Sequence, residues 1–423
     1  MSNSKKTPLA SPLPSAAAAA SLVALSLTAM PRTSHAAVVS AQNAPEVTPQ
    51  IAYSPYSDEF LVVWQSNDWL GGQNIYARRY NGDHTPAGNS FSIATSFANE
   101  RQPDVAYNPA TGGFVVAYVH DGGQGGDIRV AEVSPIGMIS LQPFNTAVAT
   151  DARPESAPKL AYNDPTSAFV LTYELAFSPT DLDVYAVEFD STTGGVIGSP
   201  IAIGATGANE RTPDVACAPG EVECLIVYEF ESGADGDVLT RLFDAAGNGP
   251  GQAWNLSVGS AVPDRAPHVA ADDLGEFLVV WERETATLNS DVIGRRVDAL
   301  GTPMGSDLPI ATTAHDERAP DLAYTNFFEY YVVWEGDIVN GLYDIWQRPV
   351  TTKSQLRARR RLSGSVNTND DVAPAVALSD DYPIVGMAVW QQATPGPTIF
   401  SPLSIDVHMG AIQQSDAPPN ATP

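Results

Sequence analysis

Pro103-Asp104-Val105-Ala106 is one of seven renderings of a four-residue pattern: proline, any residue, a branched aliphatic, alanine. The others are Pro49-Gln50-Ile51-Ala52, Pro158-Lys159-Leu160-Ala161, Pro213-Asp214-Val215-Ala216, Pro267-His268-Val269-Ala270, Pro320-Asp321-Leu322-Ala323 and Pro374-Ala375-Val376-Ala377, at intervals of 53 to 55 residues. An apolar run follows each and ends on an aromatic: Trp64, Tyr118, Tyr173, Tyr228, Trp281, Trp334 and Trp390. Two registers locked together in this way mark a repeat whose unit is one supersecondary motif.

Within a unit the residues spell strands. Proline opens the first strand, where its missing N–H is tolerated. A turn such as Asn108-Pro109-Ala110-Thr111-Gly112 leads to a second strand, Phe60 to Trp64 or Phe277 to Trp281, apolar throughout and therefore covered on both faces. A third strand opens at Asn74-Ile75, Asp127-Ile128, Asp183-Val184, Asp237-Val238, Asp291-Val292 or Asp344-Ile345, and a short fourth surrounds Ile93, Val148, Ile203 or Ile310. Four strands per repeat, with no helical periodicity, predict an all-β chain of seven four-stranded propeller blades.

The ends predict how the ring closes. After Trp390 one further strand, near Thr398 to Ile405, fits before a Pro-rich tail, so the last unit lacks a fourth strand. Val39 precedes Pro49 by the same ten residues that separate Ile93 from Pro103 and Ile203 from Pro213. The N-terminal strand is thus expected to complete the last blade and remove an open sheet edge. The repeated alanine is expected to line the crowded axis. The pattern resembles the secreted bacterial propellers of the broad WD40-like and TolB-like kind over Ala37 to about Gly410. The resemblance implies the architecture only, because no active-site motif of such families has a counterpart here.

Residues 1–36 read as a signal peptide: Lys5 and Lys6, an apolar stretch from Ala16 to Met30, then Ser34-His35-Ala36 as a cleavage site. The expected domain is 37–410, with a disordered tail over 411–423. A formal charge of −27 repels nucleic acid and anionic membranes, while 43% hydrophobic residues support a folded core. No segment is long and apolar enough to predict a membrane span. Cys217 and Cys224 stand where other units carry Tyr53 and Phe60, or Tyr162 and Phe169, facing positions on two antiparallel strands, so a disulfide is expected.

Three residues before every repeat proline stands an acid: Glu46, Glu100, Glu155, Glu210, Asp264, Glu317 and Asp371. Arg101, Arg211, Arg265 and Arg318 follow four of them. Closure would set these acids as a rim on one face, open to two readings. They are structural staples that pair with arginine and cap backbone N–H groups, or they bind a hard cation such as Ca²⁺ where Glu46, Glu155 and Asp371 lack the arginine. Arg357, Arg359, Arg360 and Arg361 form the only basic cluster, expected in a loop of the sixth unit on the opposite face and suited to an anionic partner. Trp69 is a candidate sugar-stacking or protein-contact aromatic.

No histidine or cysteine spacing matches a metal site, and no nucleophile elbow is present. An enzyme of this fold would break the repeat with unlike polar residues at the axis, and the expected axial alanines argue against that. The sequence therefore favours a binding or scaffold module for an extracellular protein, glycan or cation. A propeller hydrolase or lyase acting on polysaccharide is the alternative, and a subunit of an envelope assembly a third.

Overall fold

The computed structural model describes residues 37–40, 44–67, 72–123, 125–136, 139–140, 146–233, 235–244, 250–286, 289–339, 342–363, 370–379, 386–394 and 404–412. These residues form strands and turns with no helix among them. They make seven antiparallel sheets, the blades of a propeller. The first blade is Glu46–Ser54, Glu59–Asn67, Gln73–Asn81 and Phe91–Ala94, in that spatial order. The first strands of the other blades are Asn99–Asn108, Glu155–Asn163, Asn209–Cys217, Asp264–Ala271, Glu317–Thr325 and Asp370–Leu378. Each lies at one edge of its sheet and touches the first strand of the next blade, the seventh returning to the first. That contact pattern puts the first strands round a common axis.

Strand alternation explains the repeated motif. The branched aliphatic packs on the preceding blade: Val105 lies with Leu61 and Val63, Leu160 with Val115 and Ala117. The alanine, on the other face, packs on the following blade: Ala161 lies with Ile226 and Tyr228, Ala216 with Val279 and Trp281. The alanines therefore fill the seams between blades and do not line the axis, contrary to expectation. The residue that shares the alanine's side and stands two positions before it takes that place. All the second-strand aromatics are buried, each such burial contributing about 2 kcal/mol.

The first strands share an irregularity the sequence did not announce. Thr48, Gln102, Ala157, Thr212, Ala266, Ala319 and Ala373, each just before the repeat proline, have φ between 46° and 53°, and the strand register shifts there, as between Arg101 and Asp104. These bulges hold non-glycine residues in the left-handed region at a cost of about 1 kcal/mol each. A carboxylate or amide one residue past the aromatic of the preceding blade fixes five of them. Glu174 accepts the N–H of Thr212 at 2.8 Å, Glu335 that of Ala373 at 2.7 Å, Gln65 that of Gln102 at 3.2 Å, and Glu282 that of Ala319 at 3.3 Å. Where Val119 occupies the position, the Gln102 side chain accepts the Ala157 N–H at 3.3 Å instead.

The sheet carrying the first and last described strands has the order Ala37–Ser40, Ser404–Ala411, Gly386–Thr394, Asp370–Leu378. Ala37 faces Met409, and Ser40 faces Val407. The last strand thus lies further along than expected, because Val407 and Met409 alternate inward into the core. It runs past residue 410, and the Ile412 N–H donates to Gly386 O at 2.8 Å. Residues 1–36, Trp69 and most of the expected tail lie outside the described residues.

Cys217 and Cys224 face each other in the register and form a disulfide, with Cα atoms 4.1 Å apart. Its seven-residue separation closes a short loop, so loop entropy assigns it about 2 kcal/mol. Substituting both by serine is expected to leave a folded protein less stable by about that amount in urea unfolding. A loss near zero would mean that the aligned strands hold the pair without the bond.

Candidate functional site

The seven acids before the repeat prolines are all buried. They serve as staples. Glu100 accepts the Ser96 N–H at 3.3 Å and the Ser96 hydroxyl. Glu210 binds Thr206 at its hydroxyl at 2.6 Å, and Glu317 binds the Thr313 N–H at 3.2 Å. Glu155 accepts the N–H groups of Asp151 at 2.8 Å and Ile128 at 3.1 Å. Asp264 takes the Trp281 indole N–H at 2.6 Å and Arg283 Nε at 2.7 Å, Asp371 takes Gln392 Nε2 at 2.5 Å, and Glu46 faces the Val407 N–H at 3.4 Å. Each acid thus pins its own strand to nearby loop or strand groups.

The arginines that follow do not pair with these acids. Arg211 reaches Glu229 at 2.9 Å and Arg318 reaches Glu335 at 2.6 Å, the carboxylates that hold the bulges. Among the described residues no group of three or more His, Cys, Asp or Glu side chains is placed to hold a metal ion. Glu46, Glu155 and Asp371, which the sequence offered for Ca²⁺, each meet hydrogen-bond donors of their own.

Of the basic cluster, Arg357 and Arg359 lie between the third strand, Leu342–Thr351, and the fourth strand of the sixth blade. Leu356 already bridges to Val350, and Arg360–Arg361 pair with Gln347 and Trp346 as the fourth strand of the sixth blade. Arg361 meets Asp344 at 2.5 Å, Arg357 meets Glu329 at 3.1 Å, and Arg359 stands 3.8 Å from Glu317.

The position just after the repeat proline is where the repeat breaks. Its occupants in blade order are Gln50, Asp104, Lys159, Asp214, His268, Asp321 and Ala375. Lys159 Nζ lies 3.3 Å from Asp104, and His268 Nδ1 lies 3.4 Å from Asp214 and 3.6 Å from Asp321. Lys159 also feels the charges of Asp214 and Asp321, from the next blade and from three blades on, so the five groups converge at the axis. The aspartates are anchored: each accepts an N–H of the following first strand, Asp104 from Leu160 at 2.8 Å, Asp214 from Val269 at 2.9 Å, Asp321 from Val376 at 2.8 Å. One oxygen ties adjacent blades together while the carboxylate still meets the basic groups of the ring.

Burial works against the Lys159 charge, but the three aspartates outweigh it and raise the pKa. Burial also pushes Asp321 up, against the pull of His268 and Lys159. For Asp214 burial is overcome by the His268 hydrogen bond and the nearby positive charge, and its pKa falls. The ring therefore offers fixed acceptors and fixed donors in alternation, beside the uncharged arc of Ala375 and Gln50.

No family model matches the chain, and no curated protein matches it in sequence. Among solved structures, a protein of unknown function from Dyadobacter fermentans is similar at a TM-score of 0.54 and 9% identity, over 89% of this chain and 98% of its own. A puromycin hydrolase is similar at 0.53 and 14% identity, over 84% of this chain and 51% of that one. The likeness shows the fold. An endo-arabinase from Bacteroides thetaiotaomicron aligns over 62% of this chain at a TM-score of 0.37, too low to carry an argument.

Away from the axis, Asp183 sits buried at the seam of the third and fourth blades. Burial pushes it up to about 6, with Glu210 and Asp181 adding repulsion. The folded protein holds this proton more tightly than the unfolded chain, so stability rises as pH falls through 6 toward 4. Above pH 6 the ionised carboxylate costs at most about 3 kcal/mol. Asp183→Asn is expected to raise the melting temperature relative to wild type at pH 8 but not at pH 4. Equal shifts at both pH values would refute the assignment.

Proposed function

We propose that this chain is an exported binding module that takes a polyhydroxylated ligand, the end of a glycan, at the axis of the propeller. The observation that carries this is the convergence of Asp104, Lys159, Asp214, His268 and Asp321 from five blades at the one motif position whose chemical character varies between blades. Sugar hydroxyls both donate and accept, and so match alternating carboxylates, ammonium and imidazole. A bare divalent cation fits poorly, because Lys159 and His268 interrupt the oxygen ligands it needs. The net charge of −27 sets nucleic acid aside. The disulfide suits an oxidising compartment, and no helix among the described residues is long and apolar enough to cross a membrane.

A glycan array probed with wild type, Lys159→Ala and Asp321→Asn tests this reading. Retention of neutral oligosaccharides by wild type, weakened about tenfold or more in both variants at comparable melting temperatures, is expected for lost charged hydrogen bonds. No retention, or retention unchanged by both substitutions, would remove the axial site. One observation favours a second reading, glycan hydrolysis. Asp214 and Asp321 flank His268 with pKa values displaced in opposite directions, the arrangement that divides a base from an acid. Release of reducing ends from a retained oligosaccharide, abolished in Asp321→Asn, distinguishes it from binding alone.

A further inference from the structure

In six blades the residue two after the second-strand aromatic faces the motif acid in the strand register: Ser66 with Glu46, His120 with Glu100, Leu175 with Glu155, Phe230 with Glu210, Arg283 with Asp264 and Gln392 with Asp371. His120, Arg283 and Gln392 bond their acids directly. In the sixth blade the residue facing Glu317 is Gly336. A Cβ there would stand 2.8 Å from Trp346 Cδ1 and 3.0 Å from its Nε1, so glycine lets the indole lean across the vacated space. Beside it lies a cavity of about 210 Å³, lined by Trp334, Trp346, Glu317, Asp337, His315 and Arg359.

The lining is built from unlike parts. Glu317 is 2% exposed and held by Thr313, so its carboxylate is fixed in direction. Trp334 is fully buried, and Arg359 lies 5.1 Å from the centroid of the Trp346 ring. His315 is exposed at the entrance. A cavity of this volume suits one small ring. An indole wall with carboxylates, imidazole and guanidinium at its edge presents one apolar surface and several hydrogen-bonding groups.

We infer that this pocket is a carbohydrate site for a single sugar residue, whose apolar face lies on Trp346 and whose hydroxyls meet Glu317, Asp337 and His315. It lies away from the axis in the sixth blade and does not depend on the axial reading. The repeat itself supplies the control substitutions. Trp346 corresponds in register to Leu239 of the fourth blade, and Gly336 to Ser66 of the first.

The test is saturation-transfer NMR with methyl β-glucopyranoside, methyl β-galactopyranoside and methyl β-xylopyranoside added to the folded protein. At least one is expected to receive saturation, concentrated on the protons of one ring face. Affinity should fall about tenfold in Trp346→Leu and Gly336→Ser, and about fivefold in the exposed His315→Ala, which carries no folding risk. With the axial site disabled by Lys159→Ala, the transfer that remains should still fall in Trp346→Leu. Absence of transfer to all three glycosides, undiminished transfer in both Trp346→Leu and His315→Ala, or loss of the signal in Lys159→Ala would each overturn the site.

Discussion

A chain that begins at Pro45, lacking the strand Ala37–Ser40, is expected to melt on the order of 5 °C below the protein that retains it, and to aggregate at lower concentration. Val39 is fully buried among Ile51, Phe60, Trp64, Val389 and Val407, so it bridges the seventh blade and the first. Its carbonyl accepts Arg78 Nη1 at 2.7 Å and the Tyr80 hydroxyl at 3.3 Å, both from the first blade. Losing this side chain costs about 2 kcal/mol, and the lost bonds about 1 kcal/mol each. An entropy of unfolding near 2 cal/mol/K per residue converts such a sum to a few degrees for a domain of this size. The Ser404–Ala411 strand would become an open edge, a template for pairing with another chain. An unchanged melting temperature and unchanged solubility would show that the N-terminal strand does not latch the ring.

Glu335→Ala is expected to cost about 3 kcal/mol in urea unfolding, with Glu335→Gln costing less than half of that. Glu335 is 4% exposed, pairs with Arg318 at 2.6 Å and accepts the Ala373 N–H at 2.7 Å. Ala373 sits at φ 52°, in the bulge before Pro374. Alanine would leave a buried N–H without its acceptor and a cation without its partner, while the strained backbone remains. Glutamine keeps an acceptor for the N–H and loses only the charge. Equal costs for the two substitutions would assign the effect to the ion pair, and a cost near zero for both would refute the cross-blade role.

The blade architecture was legible because each element has a local signature. Val105 and Ala106 are adjacent in sequence and face opposite seams, so one short motif encodes both neighbours of a blade. The facing positions of Cys217 and Cys224 followed from the same register. Other features were visible but unread. Gln65, Glu174, Glu229, Glu282 and Glu335 all follow the second-strand aromatic, yet nothing local shows that such a residue reaches a bulge in the next blade. Of the arginine run only Arg360 and Arg361 pair as strand, and that two-residue strand, like Trp254–Asn255 of the fourth blade, is too short to leave a sequence pattern. The axial ring was hidden by its own variability. Asp104, Lys159, Asp214, His268 and Asp321 are 53 to 55 residues apart and look like the free position of a motif. Only the closed ring brings them together.

If the axis holds the ligand, the histidine imidazoles report it. His268 stands in the axial ring and His315 at the sixth-blade pocket, so an imidazole correlation spectrum recorded during titration with the strongest glycan from the array reads both sites at once. The His268 resonances are expected to shift progressively and saturate with the binding isotherm, and Asp321→Asn to weaken that isotherm. A glycan that saturates the protein while His268 stays unmoved would contradict binding at the axis.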